Sequence, residues 1–406
     1  MLRVRAFQGL RPVTQFVEEV ACVPYDVVNA QEAAALAEGK PNSLLHVDRA
    51  EIDLPVGTDP YSDAVYGQAL RSFAALQANG TLLRETERCL FVYQQRMGDH
   101  VQTGIAGVCH VDDYERDIIK KHEKTRPDKE NDRTRLIGTL NANTGPVFLT
   151  YRDAPAIDAL VENARKSVPI YDFTAPDGVQ NTVWRIAGGA EIEREFARVQ
   201  VAYVADGHHR TASAVRVGRE RRAAAVRHTG EEEYNWFLCV LFPASQLQIL
   251  PYNRVVKDLN GHTREAFMEI IGRTFSVNSS GSAAPAAPGD IRMYIAGQWF
   301  DLAWHPAADA DPISQLDVTA LQERLLAPVL GIDDPRTSQR IDFIGGIRGT
   351  DELVRLVDTG RAAVAFSMFP TTVDQLIAIA DAGQIMPPKS TWFEPKLRSG
   401  LFIHTF

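Results

Sequence analysis

Within Asp206-Gly-His-His-Arg210 the chain crowds a carboxylate, a turn residue, two imidazoles and a guanidinium into one place. A carboxylate can hold Mg²⁺ or act as base toward a hydroxyl, and imidazoles can donate to phosphate oxygens. A guanidinium offers a two-pronged fork for the same oxygens. Phosphoryl transfer asks little more of a protein than cations and N–H donors around the phosphates, with a carboxylate placed for the acceptor. On this reading Asp206, His208 and His209 carry the chemistry, and Gly207, Arg210 and Thr211 hold the phosphates. A second charged cluster, His122-Glu-Lys-Thr-Arg126, follows at a distance in sequence. It offers Glu123 as a rival base and His122, Lys124 and Arg126, with Arg133, as charge clamps. A third group, Lys389, Ser390 and Thr391 with Lys396, has the ammonium and hydroxyl groups to close over a ligand.

Those residues need elements to hold them. Val199 to Ala205 is mostly β-branched and apolar, the pattern of a buried strand, and Gly207 breaks it. His209 to Val217 then reads as a short helix with Gly218 as its C-cap. A glycine turn feeding a helix presents free N–H groups at the positive end of the helix dipole, which suits an anion. In the charged stretch from Asp112 to Arg135, Pro127 suits a first turn and not a helix interior. The spacing predicts one helix ending near Lys124 and a second from Pro127 to Asn141, with Lys129 and Arg133 four apart on one face. Each of these residues also has an ordinary structural role: Asp206 as a helix cap, the charged run as a solvated face. The concentration of them favours a site. Val23-Pro-Tyr-Asp26 reads either as a turn or as a loop placing Tyr25 and Asp26 in a site, within an extended piece from Val20 to Val28.

A chain of 406 residues exceeds one ordinary core, so two or three subdomains are expected. The segments alternate between strands and helices throughout, which predicts an α/β (α+β) fold of mixed sheets with flanking helices. Gln248 to Val256 reads as one extended segment. Ser279 to Gly289 is small and Pro-rich, so the division expected is 1–278, a loop or hinge at 279–290, and 291–406. Hydrophobic content of 45% and charged content of 23% belong to a soluble globular protein, and no apolar run is long enough to span a bilayer. No secretory signal is visible at Met1 to Pro12, and Cys22, Cys89, Cys109 and Cys239 show no CxxC spacing. Together these favour the cytoplasm and speak against a zinc ribbon or a disulfide scaffold. A net charge of −9 disfavours broad nucleic-acid binding.

Four motifs in order, Val23-Pro-Tyr-Asp-Val27, His122-Glu-Lys-Thr-Arg126 with Asp132-Arg133, Ala205-Asp-Gly-His-His-Arg210 and Pro388-Lys-Ser-Thr-Trp-Phe-Glu-Pro-Lys396, resemble the bacterial and archaeal family catalogued as domain of unknown function 1015. The resemblance spans nearly the whole chain. Its Asp-Gly-His-x-Arg element is similar to that of the ParB/sulfiredoxin-like superfamily, which includes nucleotide-using free-serine kinases. The resemblance implies a ParB/sulfiredoxin-like nucleotide-binding core and a C-terminal α/β subdomain. It also implies ATP or ADP with Mg²⁺ as cofactors and a small hydroxylated metabolite as substrate. In those kinases the equivalent turn grips nucleotide phosphates and a carboxylate activates the hydroxyl; the long insertions before Asp206 depart from their compact pattern. Two other classes fit the same residues. One is a metal-dependent hydrolase using Asp206, His208 and His209 with His122 or Glu123, although neighbouring histidines on a helix point about 100° apart. The other is a nucleotide or phospho-metabolite sensor without turnover.

Overall fold

The computed structural model describes residues 1–307 and 309–406. It is a mixed α/β architecture in two compact units, Met1–Leu247 with Pro395–Phe406, and Gln248–Glu394.

The first unit is built on a nine-stranded sheet. Its strands are β1 (Val4–Arg5), β2 (Cys89–Met97), β3 (His100–His110), β4 (Ile119–Lys120), β5 (Val147–Tyr151), β6 (Tyr171–Thr174), β7 (Gln180–Ala187), β8 (Ala202–Asp206) and β9 (Trp236–Pro243). They lie in the order β4-β8-β5-β9-β3-β2-β7-β6, with β1 added alongside β3. β9 and β5 are buried along their whole length, which is why they read as continuous apolar runs. The helices that matter for the site are α1 (Asp63–Ala78), α2 (Val111–Glu115), α3 (Pro127–Leu140) and α4 (His208–Ala224). Leu136, Leu140, Tyr66, Phe73 and Leu45 build one apolar cluster; Ile137, Ala214, Val215 and Val217 join the cluster against the sheet. So α3 packs on both sides, and it holds Asp132 and Arg133, both buried, between two cores.

The second unit carries β10 (Gln248–Leu250), β11 (Tyr252–Val256), β12 (Ser276–Ser279), β13 (Asp290–Ile295), β14 (Gln298–Ala303), β15 (Ile341–Gly345), β16 (Val364–Ser367) and β17 (Trp392–Glu394). Six of them form a sheet in the order β12-β14-β13-β16-β11-β15, and β10 pairs with β17. Helices α5 (Asp351–Asp358) and α6 (Val373–Asp381) each follow a strand, α6 with Thr372 and Gln375 in a reciprocal capping box.

Several expectations are corrected. The segment 279–290 is no boundary between units: it joins β12 and β13, which lie in one sheet, and the chain divides near 247 and again near 394. The cause is the tail, which leaves the second unit after β17 and bonds into the first, where Gln95 donates to the Lys396 carbonyl at 2.9 Å. Gln248 to Val256 is broken at Pro251 into two strands. The stretch to Lys124 is not helical. α2 stops at Glu115, Asp117 turns in the left-handed region (φ 54°), and Ile119 joins β8 in parallel. Val20 to Val28 is not a strand: Val17–Val20 is a helical turn, and beyond it Cys22 makes a bridge with Ser399. Finally, α4 runs well past Gly218. A Cβ at Gly218 would sit 2.7 Å from the Tyr234 carbonyl, so glycine is there for close packing and not as a cap.

Candidate functional site

The corner after β8 is shaped by two local departures from regular structure. Pairing between β8 and β5 shifts register between Val204 and Asp206, a bulge that leaves Ala205 unpaired and sets Asp206 opposite Phe148 at the end of the strand. Gly207 then takes φ 89°, a conformation that L side chains rarely adopt, and α4 starts at the next residue. The first intrahelical bond runs from the Thr211 N–H to the Gly207 carbonyl at 2.9 Å. Ahead of it, the N–H groups of His208, His209 and Arg210 are the helix-end donors that have no intrahelical partner. The Thr211 hydroxyl is spent on the Gly207 carbonyl at 3.0 Å, so Thr211 secures the turn and is not free for a phosphate.

Asp206 accepts from the Gly207 N–H through Oδ1 at 2.7 Å and from Lys396 Nζ through Oδ2 at 2.8 Å. Burial alone would raise this carboxyl. Lys396, Arg210 and the Gly207 N–H outweigh it and hold Asp206 well below the usual carboxylate range. His208 is buried, with its Nε2 3.4 Å from His122 Nε2 and the two rings edge-to-face at 87°. Burial brings His122 down to about 4 against the pull of Asp206. Burial and then the neighbouring His122 hold His208 well below its ordinary value. Both imidazoles are therefore neutral at pH 7, and His208 Nδ1 is buried without a partner.

His209 turns the other way. Its Nε2 accepts from the Arg126 N–H at 3.0 Å, which ties α4 to the chain entering α3. The Arg126 guanidinium itself is exposed and pairs with Asp128 at 2.9 Å. Lys124 and Glu123 are exposed on the same segment. Divergence of His208 and His209 is what helix geometry demands of neighbours. Among the described residues no group of three His, Cys, Asp or Glu is arranged to hold a metal ion.

Arg210 points inward. Nη1 donates to the Pro146 carbonyl at 2.6 Å, and Nε is buried without an acceptor. The guanidinium lies so close to Gly207 and Gly145 that a Cβ at either would be 3.3 and 3.4 Å from its nitrogens. It lines a cavity of about 30 Å³, room for about one water, with Tyr25, Asp48, Arg133, Thr144 and Ser399. Arg133 reaches the far wall. It pairs with Asp132 (2.8 Å), donates to the Asp48 carbonyl (3.2 Å) and stacks on the Tyr25 ring at 4.0 Å. Burial opposes the charge on Arg133, but Asp132 and Tyr25 outweigh it, so this guanidinium stays ionised. Tyr66 donates to Asp132 Oδ1 at 2.8 Å, and Thr144 to Asp48 Oδ1 at 2.6 Å. A second cavity of about 100 Å³ opens beyond Tyr25 and Arg133, between Arg49, Tyr61, Tyr66 and Lys129.

The structure thus brings together Asp206, Gly207, His208, Arg210, Thr211, His122 and Lys396, links His209 with Arg126, and joins Arg133 through the shared cavity. Lys389, Ser390 and Thr391 belong to the second unit. There the Ser390 hydroxyl donates to the Pro387 carbonyl at 2.6 Å. Asp48, Thr144, Gly145 and Ser399 were not legible in sequence: each is an isolated residue of common type, and only Gly145 has a spatial requirement, a Cβ there falling 2.6 Å from Ser399 Oγ.

The family model for a protein of unknown function, DUF1015, matches residues 4–319. No curated protein matches the sequence. Among solved structures, free serine kinase in complex with AMP is 11% identical over 72% of this chain and 90% of its own, with a TM-score of 0.38. SbnI from Staphylococcus aureus, truncated at its C-terminus, is 13% identical over 71% and 82%, with a TM-score of 0.37. A conserved hypothetical protein from Pyrococcus furiosus is 11% identical over 72% and 94%, with a TM-score of 0.35. No helix among the described residues is long and apolar enough to cross a membrane.

Proposed function

Because the chain belongs to the DUF1015 family of proteins of unknown function, its activity has to be argued from the site, and we propose a nucleotide-dependent phosphotransferase acting on a small hydroxylated metabolite. One observation carries the reading. At the head of α4 the leading backbone N–H groups, the partnerless buried Arg210 Nε and the Asp206–Lys396 pair converge on one corner. Such a corner favours a phosphoryl group over any neutral ligand, because preorganised donors cost nothing to reorient.

The cavities beside the corner are too small for a nucleotide, so ATP or ADP would approach from the solvent side, past His209 and Arg126. Its terminal phosphate would meet the N–H groups of His208 to Arg210, with His208 Nδ1 as a further donor. Lys396, paired with Asp206, would turn its ammonium toward a phosphate oxygen. Mg²⁺ is usually held by one or two carboxylates plus the phosphates themselves, and Asp206, ionised and partly exposed, fits that demand. There it would neutralise charge developing on the phosphates. A carboxylate held this acidic is a weak base. Asp206 therefore serves to orient the acceptor hydroxyl, whose oxygen bonds to the terminal phosphorus as the bridging P–O bond breaks. The hydroxyl proton leaves late, to an oxygen of the transferred phosphoryl group and from there to water, as a loose transition state allows.

Binding without turnover is the second reading, and the Lys396 pairing favours it, since the ammonium occupies the oxygen an acceptor would use. One experiment separates them. Nucleotides are screened by thermal shift, and ³¹P spectra then follow ATP or ADP mixed with a panel of hydroxylated metabolites. The phosphotransferase reading expects a stabilising nucleotide and a new phosphomonoester. Stabilisation without product leaves the sensor, and no response to any nucleotide removes both.

A further inference from the structure

The second unit holds a buried positive charge with no counter-ion among the described residues. Arg254 stands in the middle of β11, between Phe343 of β15 and Phe366 of β16, and only 4% of it is exposed. Nη2 donates to the Lys389 carbonyl at 2.9 Å, Nη1 donates to the Tyr252 carbonyl, and the guanidinium lies 5.4 Å over the Phe343 ring. None of these partners carries a negative charge. Among the described residues no aspartate or glutamate forms an ion pair with it, whereas the buried Arg133 and Arg398 each have one. Burial lowers the Arg254 pKa to about 10, with only Tyr252 opposing.

A second cation stands beside it. Lys389 is exposed, its backbone sits in the left-handed region (φ 59°), and its ammonium lies 5.5 Å over the Tyr252 ring. Among the described residues Lys389 has no carboxylate partner either. Tyr252 is walled in turn by Phe343 and Trp392, at 5.9 and 5.0 Å between ring centres, both edge-to-face. Backbone carbonyls satisfy the donors of a guanidinium but not its charge, and a buried charge without a partner is costly. Bringing a second cation to the same turn, on a strained backbone, adds to that cost. A bound oxyanion would offset both. We propose that Arg254 and Lys389 form a binding site for a small oxyanionic ligand, a phosphate or a carboxylate, at the Pro387–Ser390 turn of the second unit.

This site is independent of the corner at Asp206. It is tested on the full chain by calorimetric titration with inorganic pyrophosphate and with citrate, against chloride at matched ionic strength. Saturable binding of one or both is expected, and whichever binds identifies the group as phosphoryl or carboxylate. Lys389→Gln removes an exposed charge without disturbing packing, and it should weaken that binding by about ten-fold, the scale of one charge-assisted hydrogen bond. Arg254→Lys should weaken it at least as much, and Arg210→Ala should leave it unchanged. Three results overturn the proposal: no saturable binding of either anion, equal affinity in Lys389→Gln and the wild type, or loss of the binding in Arg210→Ala. Should Arg254→Lys fail to fold, the Lys389→Gln comparison alone decides.

Discussion

Lys396 reaches back across 190 positions of sequence to place its ammonium 2.8 Å from Asp206 Oδ2. The contact holds the charge of the carboxylate that precedes α4, and it is one of the bonds that tie residues 395–406 into the first unit.

Lys396→Met should therefore act on Asp206 more than on the fold. The carboxyl, freed of its cation, rises toward the usual range, and the acid limb of any activity profile moves to higher pH. Asp206 has a depressed pKa, so its contribution to stability is present above the unfolded value near 3.9 and lost as pH falls below it. The variant should cost about 1–3 kcal/mol in denaturant unfolding at pH 7, and less at pH 3. Equal loss at both pH values would mean that the ion pair is not its source.

Asp206→Asn keeps an acceptor for the Gly207 N–H and removes the charge. Turnover should be abolished, while affinity for the nucleotide without Mg²⁺ is retained, measured by titration calorimetry; unchanged activity takes Asp206 out of the mechanism.

His122 and His208 predict the acid behaviour of the first unit. Both are neutral in the fold, with His122 held near 4, whereas an unfolded histidine titrates near 6.5. Their contribution to stability is therefore full above about 6.5 and is lost as pH falls toward about 4. His122→Gln should flatten that part of the stability curve in thermal melts between pH 4 and 7. A curve of unchanged slope would place the titration elsewhere.

Asp317 has the opposite sign. Burial raises its carboxyl to about 6, even though it accepts from the Gly289 N–H at 2.8 Å and from Trp304 Nε1 at 2.7 Å. Stability from this group is present below about 3.8 and lost as pH rises through about 6. Asp317→Asn keeps the acceptor oxygen and removes the charge, so it should stabilise the protein at pH 8 by about 1–3 kcal/mol. Destabilisation at pH 8 would show that the ionised form is preferred.

Much of this was legible in the residue order. The strand leading to Asp206 and the break at Pro127 follow from local chemistry, since β-branching and proline act through their own backbones. The charged cluster at Asp206–Arg210 was legible for the same reason: its members are neighbours in the chain. What stayed hidden depends on distant partners. Gly218 looks like a cap until the Tyr234 carbonyl is placed against it, and Asp48 is one aspartate among many until Thr144 and Arg133 meet it. The run to Lys124 has helical composition, but Ile119 is worth more in the sheet beside β8. Segment 279–290 has the composition of a linker, yet it is a connection between two strands of one sheet, which composition alone does not distinguish.

Arg210→Ala should weaken ADP binding by about 1.5–3 kcal/mol, the range for a hydrogen bond to a charged group. The same corner can be read directly in a crystal of the protein grown with ADP and Mg²⁺. The account predicts phosphate density within hydrogen-bonding distance of the N–H groups of His208 to Arg210, with Lys396 drawn toward it. ADP bound at another place, with Asp206 still locked to Lys396 and the head of α4 bare, would contradict it.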